Sequence, residues 1–206
     1  MLSGRELLRR IQLRPDNPDA LTIVPKPDLE HLREKGGASI DLRLGRWFMS
    51  LRQARISRVE LSGLSSKYEN NSDKLAGVSL DKNHFVPFGD EFILHPGRFV
   101  IGATLEWMRL PLNAGGYVTG KSSLGRHGLV IETAAAIHPR FTGCLALEIA
   151  NVGEVPLVLR PGMPVAQLLI HKTQGKAQAA LSTLNGRRKP YLPVLVADKR
   201  LKALAS

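Results

Sequence analysis

From Ala38 to His171 the chain is a succession of short apolar runs, each closed by glycine, proline or asparagine. This rhythm limits the fold more than any other feature, because elements so short cannot be long helices. ASIDLRLGRWF (38–48) alternates Ile40, Leu42 and Leu44 with polar neighbours, and its strand is expected to stop at Gly45. FVPFGDEFIL (85–94) follows, then a Pro96-Gly97 turn and the alternating FVIGATLEWMRLP (99–111). NAGG (113–116) reads as a loop, and VPLVLRPGMPVAQLLIH (155–171) as two strands around Pro161-Gly162. Many short strands at near-regular spacing predict a mainly β domain, a distorted β-barrel or jelly roll.

Ahead of the C-terminus, two helices are expected, both before the β region. Ser3-x-x-Glu6 is a capping box opening an amphipathic helix with Leu7, Leu8 and Ile11 on one side, ended by Pro15, Asn17 and Pro18. Leu21–Val24 reads as a strand closed by Pro25, and a second helix fits Asp28 to Lys35, with Asp28 as N-cap. The polar segment Ser62–Gly77 reads as a surface loop. The 206 residues form one predicted domain, with 1–37 a helical N-terminal segment and 172–206 a basic tail.

Charge is concentrated at one end. Of the net +11, residues 172–206 carry +7, from eight basic residues against Asp198 alone. A polyanionic partner and a plain solvated tail both fit that count. Aromatic residues make up only 5%, too few for a nucleic-acid stacking platform. Cys144 is the single cysteine, which excludes an intrachain disulfide and a Cys-x-x-Cys zinc site and points to a reducing cytoplasm. No apolar run is long enough to span a bilayer.

Gly120 to Glu148, GKSSLGRHGLVIETAAAIHPRFTGCLALE, concentrates the residues able to do chemistry. GGYVTGKS (115–122) satisfies the Walker A spacing, and VLVAD ending at Asp198 is a weak Walker B. A phosphate loop needs a buried strand before it and a helix after it. NAGG before, and Gly125 and Gly128 after, argue against both. In GCLALEIAN (143–151), Leu145, Leu147 and Ile149 share the core face, while Cys144, Ala146, Glu148 and Ala150 share the other. Two readings of Glu148 stand: an exposed residue on a solvated face, or a carboxylate in a concave, partly apolar site that shuttles protons near neutral pH.

Five segments occur in the order of one family: ASIDLRLG (38–45), FILHPGRFVIGATLE (92–106), GKSSLGRHGL (120–129), FTGCLALEIAN (141–151) and LRPGMPVAQL (159–168). Together they resemble the dCTP deaminase branch of the trimeric dUTPase-like superfamily. The resemblance implies a β-barrel subunit of the dUTPase-like type and a homotrimer with active sites between subunits. It implies hydrolysis of dCTP to dUTP and ammonia without zinc, with Mg²⁺ carried on the triphosphate. Glu148 then matches the catalytic proton shuttle, Ser122 the serine holding the attacking water, and Arg126 the arginine positioning glutamate and base. Lys121 stands where the family usually has arginine, keeping the charge without the bidentate fork. Ser123 and Gln167 match positions at the nucleotide, and Ala135 lies in the turn that should wrap the base. GRRKPY (186–191) resembles the basic segment that folds over the triphosphate, making Lys189 and Tyr191 candidates. The deoxynucleoside triphosphate then accounts for the tail's charge without nucleic acid.

Two departures bear on substrate. His138 stands where superfamily members usually have Asp, the residue that in dUTPases activates the water attacking phosphorus, and ETAAA (132–136) is about one residue short. The loss of that Asp and the presence of Glu148 argue against the first alternative, dUTP pyrophosphatase activity alone or combined with deamination, while both departures motivate the second, a non-catalytic dNTP-binding regulatory protein. His127, next to Arg126, is expected to point out of the site because adjacent strand residues face opposite ways.

Overall fold

The computed structural model describes residues 1–34, 37–51, 61–62, 81–132, 136–174, 186–192 and 200. Helix α1 (Gly4–Gln12) opens at Ser3, whose side-chain oxygen accepts the Glu6 N–H at 3.4 Å. Only this half of the capping box forms. The Glu6 carboxylate turns instead to Arg9 and Arg10, and Arg10, 3% exposed, reaches on to Asn113. The Arg9 hydrogen bond, then that of Arg10, holds the Glu6 carboxyl down at about 2 from an ordinary 4.5. A depressed folded value stabilises above the unfolded one, so this contribution is present above pH 4.5 and lost as pH falls towards 2. The pair is partly exposed, so the effect is expected to stay below about 1 kcal/mol. Melting temperatures across that window should fall more steeply for the wild type than for Glu6→Gln.

Strand β1 (Thr22–Val24) ends at a cis Val24–Pro25 bond, and α2 (Leu29–Glu34) follows, with Asp28 Oδ1 accepting the Glu30 N–H at 3.0 Å. The remaining strands are β2 (Ser39–Leu51), β3 (Asp81–Phe85), β4 (Phe92–Leu94), β5 (Phe99–Arg109) and β6 (Ala114–Gly120). They continue with β7 (Leu129–Glu132), β8 (Ala136–Ile137), β9 (Thr142–Asn151), β10 (Leu157–Leu159) and β11 (Pro164–Lys172). All pair antiparallel. The main sheet runs β7-β9-β5-β2-β11-β6-β8, with β1 on β5 and β3 on β2, and a small second sheet pairs β10 with β4. This curled, mostly β architecture is the one expected from the turn spacing.

Three expectations need correction. NAGG is not a loop: β6 begins at Ala114, because Gly115 and Gly116 lie between β11 and β8 and pair with them, and tertiary pairing overrides weak strand propensity. β2 does not stop at Gly45 but runs on to Leu51. There it changes partner: Ser39–Arg43 pairs with β11, while Trp47–Leu51 pairs with β3. Gly45 permits that corner, since a Cβ would come 2.8 Å from the Ala103 carbonyl. Third, a helical turn, α3 (Ser122–Gly125), follows β6, so a strand and a helix do flank Lys121-Ser122. The strand belongs to an antiparallel sheet and the helix is a single turn. The loop expected at 62–77 and the VLVAD segment lie outside the described residues, Ser62 apart.

The β2–β5 and β5–β9 ladders both break their register near residues 104–106. Two buried side chains complete them. Glu106 accepts the Arg43 backbone N–H at 2.8 Å and its Nε at 2.6 Å, and Thr104 Oγ1 accepts the Leu145 N–H at 3.0 Å while donating to the Glu106 carbonyl. Inside the curl, Leu7, Leu21, Leu32, Leu42, Leu44, Phe48, Met108, Leu147 and Ile149 are fully buried. The two N-terminal helices contribute Leu7 and Leu32 to this core.

Candidate active site

β6 delivers Lys121 to the mouth of α3. Its backbone N–H bonds to the Val165 carbonyl, and its own carbonyl accepts the N–H groups of Leu124 and Gly125. Ser122, Ser123 and Arg126 project from this one turn and are exposed. Lys121 Nζ lies 2.6 Å from Asp41 Oδ2, and Gln167 Nε2 lies 3.3 Å from Asp41 Oδ1. Register explains the meeting: Gln167 is the direct partner of Asp41 on one side and of Thr119 on the other. Two residues predicted at the nucleotide, Lys121 and Gln167, thus converge on a carboxylate that sequence reasoning placed only inside a motif. The signal existed, because alternation that sends Ile40 and Leu42 inward sends Asp41 outward.

Glu148 is exposed on β9, flanked along its face by Ala146 and Ala150. Direct pairing places Asn83, Met49, Ile101, Glu148 and Glu132 in one row across five strands. Facing partners of an antiparallel pair share a face, so all five belong to one surface of the sheet. Among the described residues no hydrogen bond or ion pair joins Glu148 to Ser122 or Arg126 of the same chain. β7 touches both regions: a Cβ on Gly120 would meet the Ile131 Cβ at 3.2 Å, and Glu132 stands opposite Glu148.

Residues 186–192 dock on the start of β9. Gly186 N–H donates to the Thr142 carbonyl, and Cys144 N–H donates to the Arg187 carbonyl at 2.8 Å. Gly143, at φ 139°, makes the approach possible, for a Cβ there would meet the Arg187 carbonyl at 2.9 Å. The Arg187 guanidinium lies 3.6 Å from the Tyr191 ring centre, and Lys189 Nζ lies 3.9 Å from that of Trp47. Trp47, Asn83, Arg187, Arg188, Lys189 and Pro190 line a cavity of about 520 Å³. Arg187 Nε is buried there without a hydrogen-bond partner. Asn83 belongs to the Glu148 row, about 14 Å from Glu148 across three strand spacings, so the basic cavity it lines reaches Glu148's side of the sheet. Burial pushes the Cys144 thiol up from its ordinary value, against the opposing pull of Arg188. Trp47 gave no sequence-level signal.

A family profile described as dCTP deaminase-like matches residues 1–173. The chain belongs to that family. Among solved structures it is similar to a 2'-deoxycytidine 5'-triphosphate deaminase from Agrobacterium tumefaciens, at 23% identity and TM-score 0.50, over 73% of this chain and 41% of that one. The chain thus spans less than half the length of that structure. It is also similar to the dUTPase of EIAV (23% identity, TM-score 0.38, 66% of this chain and 97% of that one). A mutant dUTPase of phage phi11 of S. aureus, described with a structural Mg(II) ion, matches at 14% identity and TM-score 0.46 over 79% and 96%. The Agrobacterium likeness shows the fold, a dUTPase-like barrel.

In this dCTP deaminase-like chain the histidines of the central stretch stand apart from Glu148's row. His127 lies in a turn, not a strand, so strand alternation is not what directs it; its Nδ1 lies 2.8 Å from the Ser123 carbonyl. His138 is exposed, its carbonyl accepting the Phe141 N–H. Ala135 lies outside the described residues. Among the described residues no three His, Cys, Asp or Glu side chains gather to hold a metal ion. Asp41 is the carboxylate beside Lys121 and Gln167, and both its oxygens are engaged by them. No described helix is long and apolar enough to cross a membrane.

Proposed function

We propose that the chain hydrolyses the 4-amino group of dCTP, giving dUTP and ammonia. The observation that carries this reading is Glu148, an exposed carboxylate flanked along its strand by alanines, in a chain of the dCTP deaminase-like family. Glu148 takes a proton from a water held by Ser122, and the water oxygen bonds to C4 of the base. The proton passes to ring N3. Glu148 then takes the remaining proton from the C4 hydroxyl and gives it to the amino nitrogen, whose bond to C4 breaks, and ammonia leaves as the carbonyl forms. Arg126 positions the glutamate and the base. The family resemblance implies a homotrimer with active sites between subunits, so the reading lets Glu148 meet Ser122 and Arg126 of a neighbouring subunit.

Lys121, Ser123 and Gln167 are assigned to the nucleotide and its phosphates, with Lys121 exchanging Asp41 for phosphate oxygen. Lys189 and Tyr191, beside the basic cavity, are assigned to the segment that covers the triphosphate, and Ala135 to the turn at the base. Magnesium, carried on the triphosphate, supplies charge neutralisation there.

Ammonia and nucleotide products measured across dCTP, dCMP, CTP, dUTP and dTTP test the assignment. Ammonia release with dUTP formed from dCTP is expected. Pyrophosphate release from dUTP would instead give the chain pyrophosphatase activity. Tight binding with no product after long incubation would make it a non-catalytic nucleotide-binding protein.

A further inference from the structure

Five carboxylates stand on described strands, and three have a partner: Asp41 meets Lys121, Asp81 meets Asn83, and Glu106 meets Arg43. The other two, Glu132 and Glu148, face each other as direct partners of β7 and β9. Direct antiparallel partners hold their Cβ atoms about 4.5–5.5 Å apart, and like charges at that separation weaken a sheet. Neither carboxylate has a hydrogen bond or ion pair among the described residues. The fold thus places up to four acceptor oxygens side by side on the proposed catalytic face, with no donor between them among the described residues.

We propose that Glu132 selects an amino-bearing pyrimidine at this site. The inference rests on the deaminase reading above and adds a residue to it. A 4-amino group presents two N–H donors, whereas a 4-oxo group presents lone pairs in the same place. Glu148 carries the protons between the water, the ring nitrogen and the leaving nitrogen, which leaves Glu132, beside it on the same face, to accept an amino N–H in the bound substrate. Once the amino group has gone, the product's C4 oxygen confronts two acceptors. The pair therefore favours substrate entry and product exit together. Glu132 is a specificity-determining residue and handles no proton.

Calorimetric titration in the Glu148→Gln background, in which turnover is slowed by about 10²-fold or more, isolates this role. That variant is expected to bind dCTP about ten-fold or more tighter than dUTP, because a site built around a hydrogen bond rejects the analogue that cannot make it. Adding Glu132→Gln should bring the two affinities to within about three-fold of each other, since an amide can turn either a donor or an acceptor to the base. Unchanged preference in the double variant would overturn the inference while leaving the deaminase reading intact. Failure of Glu148→Gln to bind either nucleotide would overturn both.

A second readout uses the ligand-free protein. Glu132→Gln alone should raise the melting temperature by relieving the like-charge pair; a fall would mean that Glu132 is already partnered. Stabilisation by Mg²⁺ without nucleotide, seen in the wild type and lost in Glu132→Gln, would assign the pair to a cation and overturn the proposal.

Discussion

Glu148→Gln is expected to lower dCTP turnover by about 10²–10⁴-fold, the range supplied by a positioned proton carrier. The substitution keeps the side chain's length and one acceptor oxygen, so nucleotide affinity should move far less than turnover. What it loses is the ability to take a proton from water and return it to the base. Glu148 is exposed and, among the described residues, makes no ion pair, so the variant should fold with stability within roughly 0.5 kcal/mol of the wild type. A melting temperature equal to or slightly above the wild type's, as the like-charge pair with Glu132 is relieved, therefore separates chemical loss from structural loss. Activity above about a tenth of wild type would show that another group moves the proton, since that loss is smaller than a general base supplies.

Glu106→Leu is expected to cause the largest loss of stability, about 3 kcal/mol. Glu106 is fully buried and does what no backbone group can do at the register break, accepting both the Arg43 backbone N–H and its guanidinium. Leucine leaves that N–H without its partner at the corner where β2 changes neighbours. The Arg43 side chain is 36% exposed and can turn to water, which keeps the loss below that of a fully enclosed ion pair. Glu106→Gln retains an acceptor for the N–H and should cost about half as much. Urea unfolding of the two variants checks the order. Equal losses would mean that charge, not the acceptor, completes the ladder.

Strand alternation made much of the fold legible, because Ile40, Leu42, Leu147 and Ile149 fall where a two-residue period sends them. Two glycine-containing stretches were misleading for a shared reason. Gly45 and NAGG look like breaks in a linear pattern, yet each is a place where backbones approach closely within the sheet. The chain alone carries no record of such approaches until the partners are known. The cross-strand pairs were hidden in the same way. Asp41 with Lys121 spans 80 residues and Glu132 with Glu148 spans 16, and both depend on register, which alternation constrains but does not number. The basic tail was visible as charge, while its seat on Trp47 and Gly143 was not.

The most direct test of the central claim follows the oxygen. dCTP incubated with the protein in ¹⁸O-labelled water, and analysed by mass spectrometry, should yield dUTP labelled at C4 together with ammonia in equal amount. Label in released phosphate or pyrophosphate, with the amino group still on the base, would contradict the deaminase account.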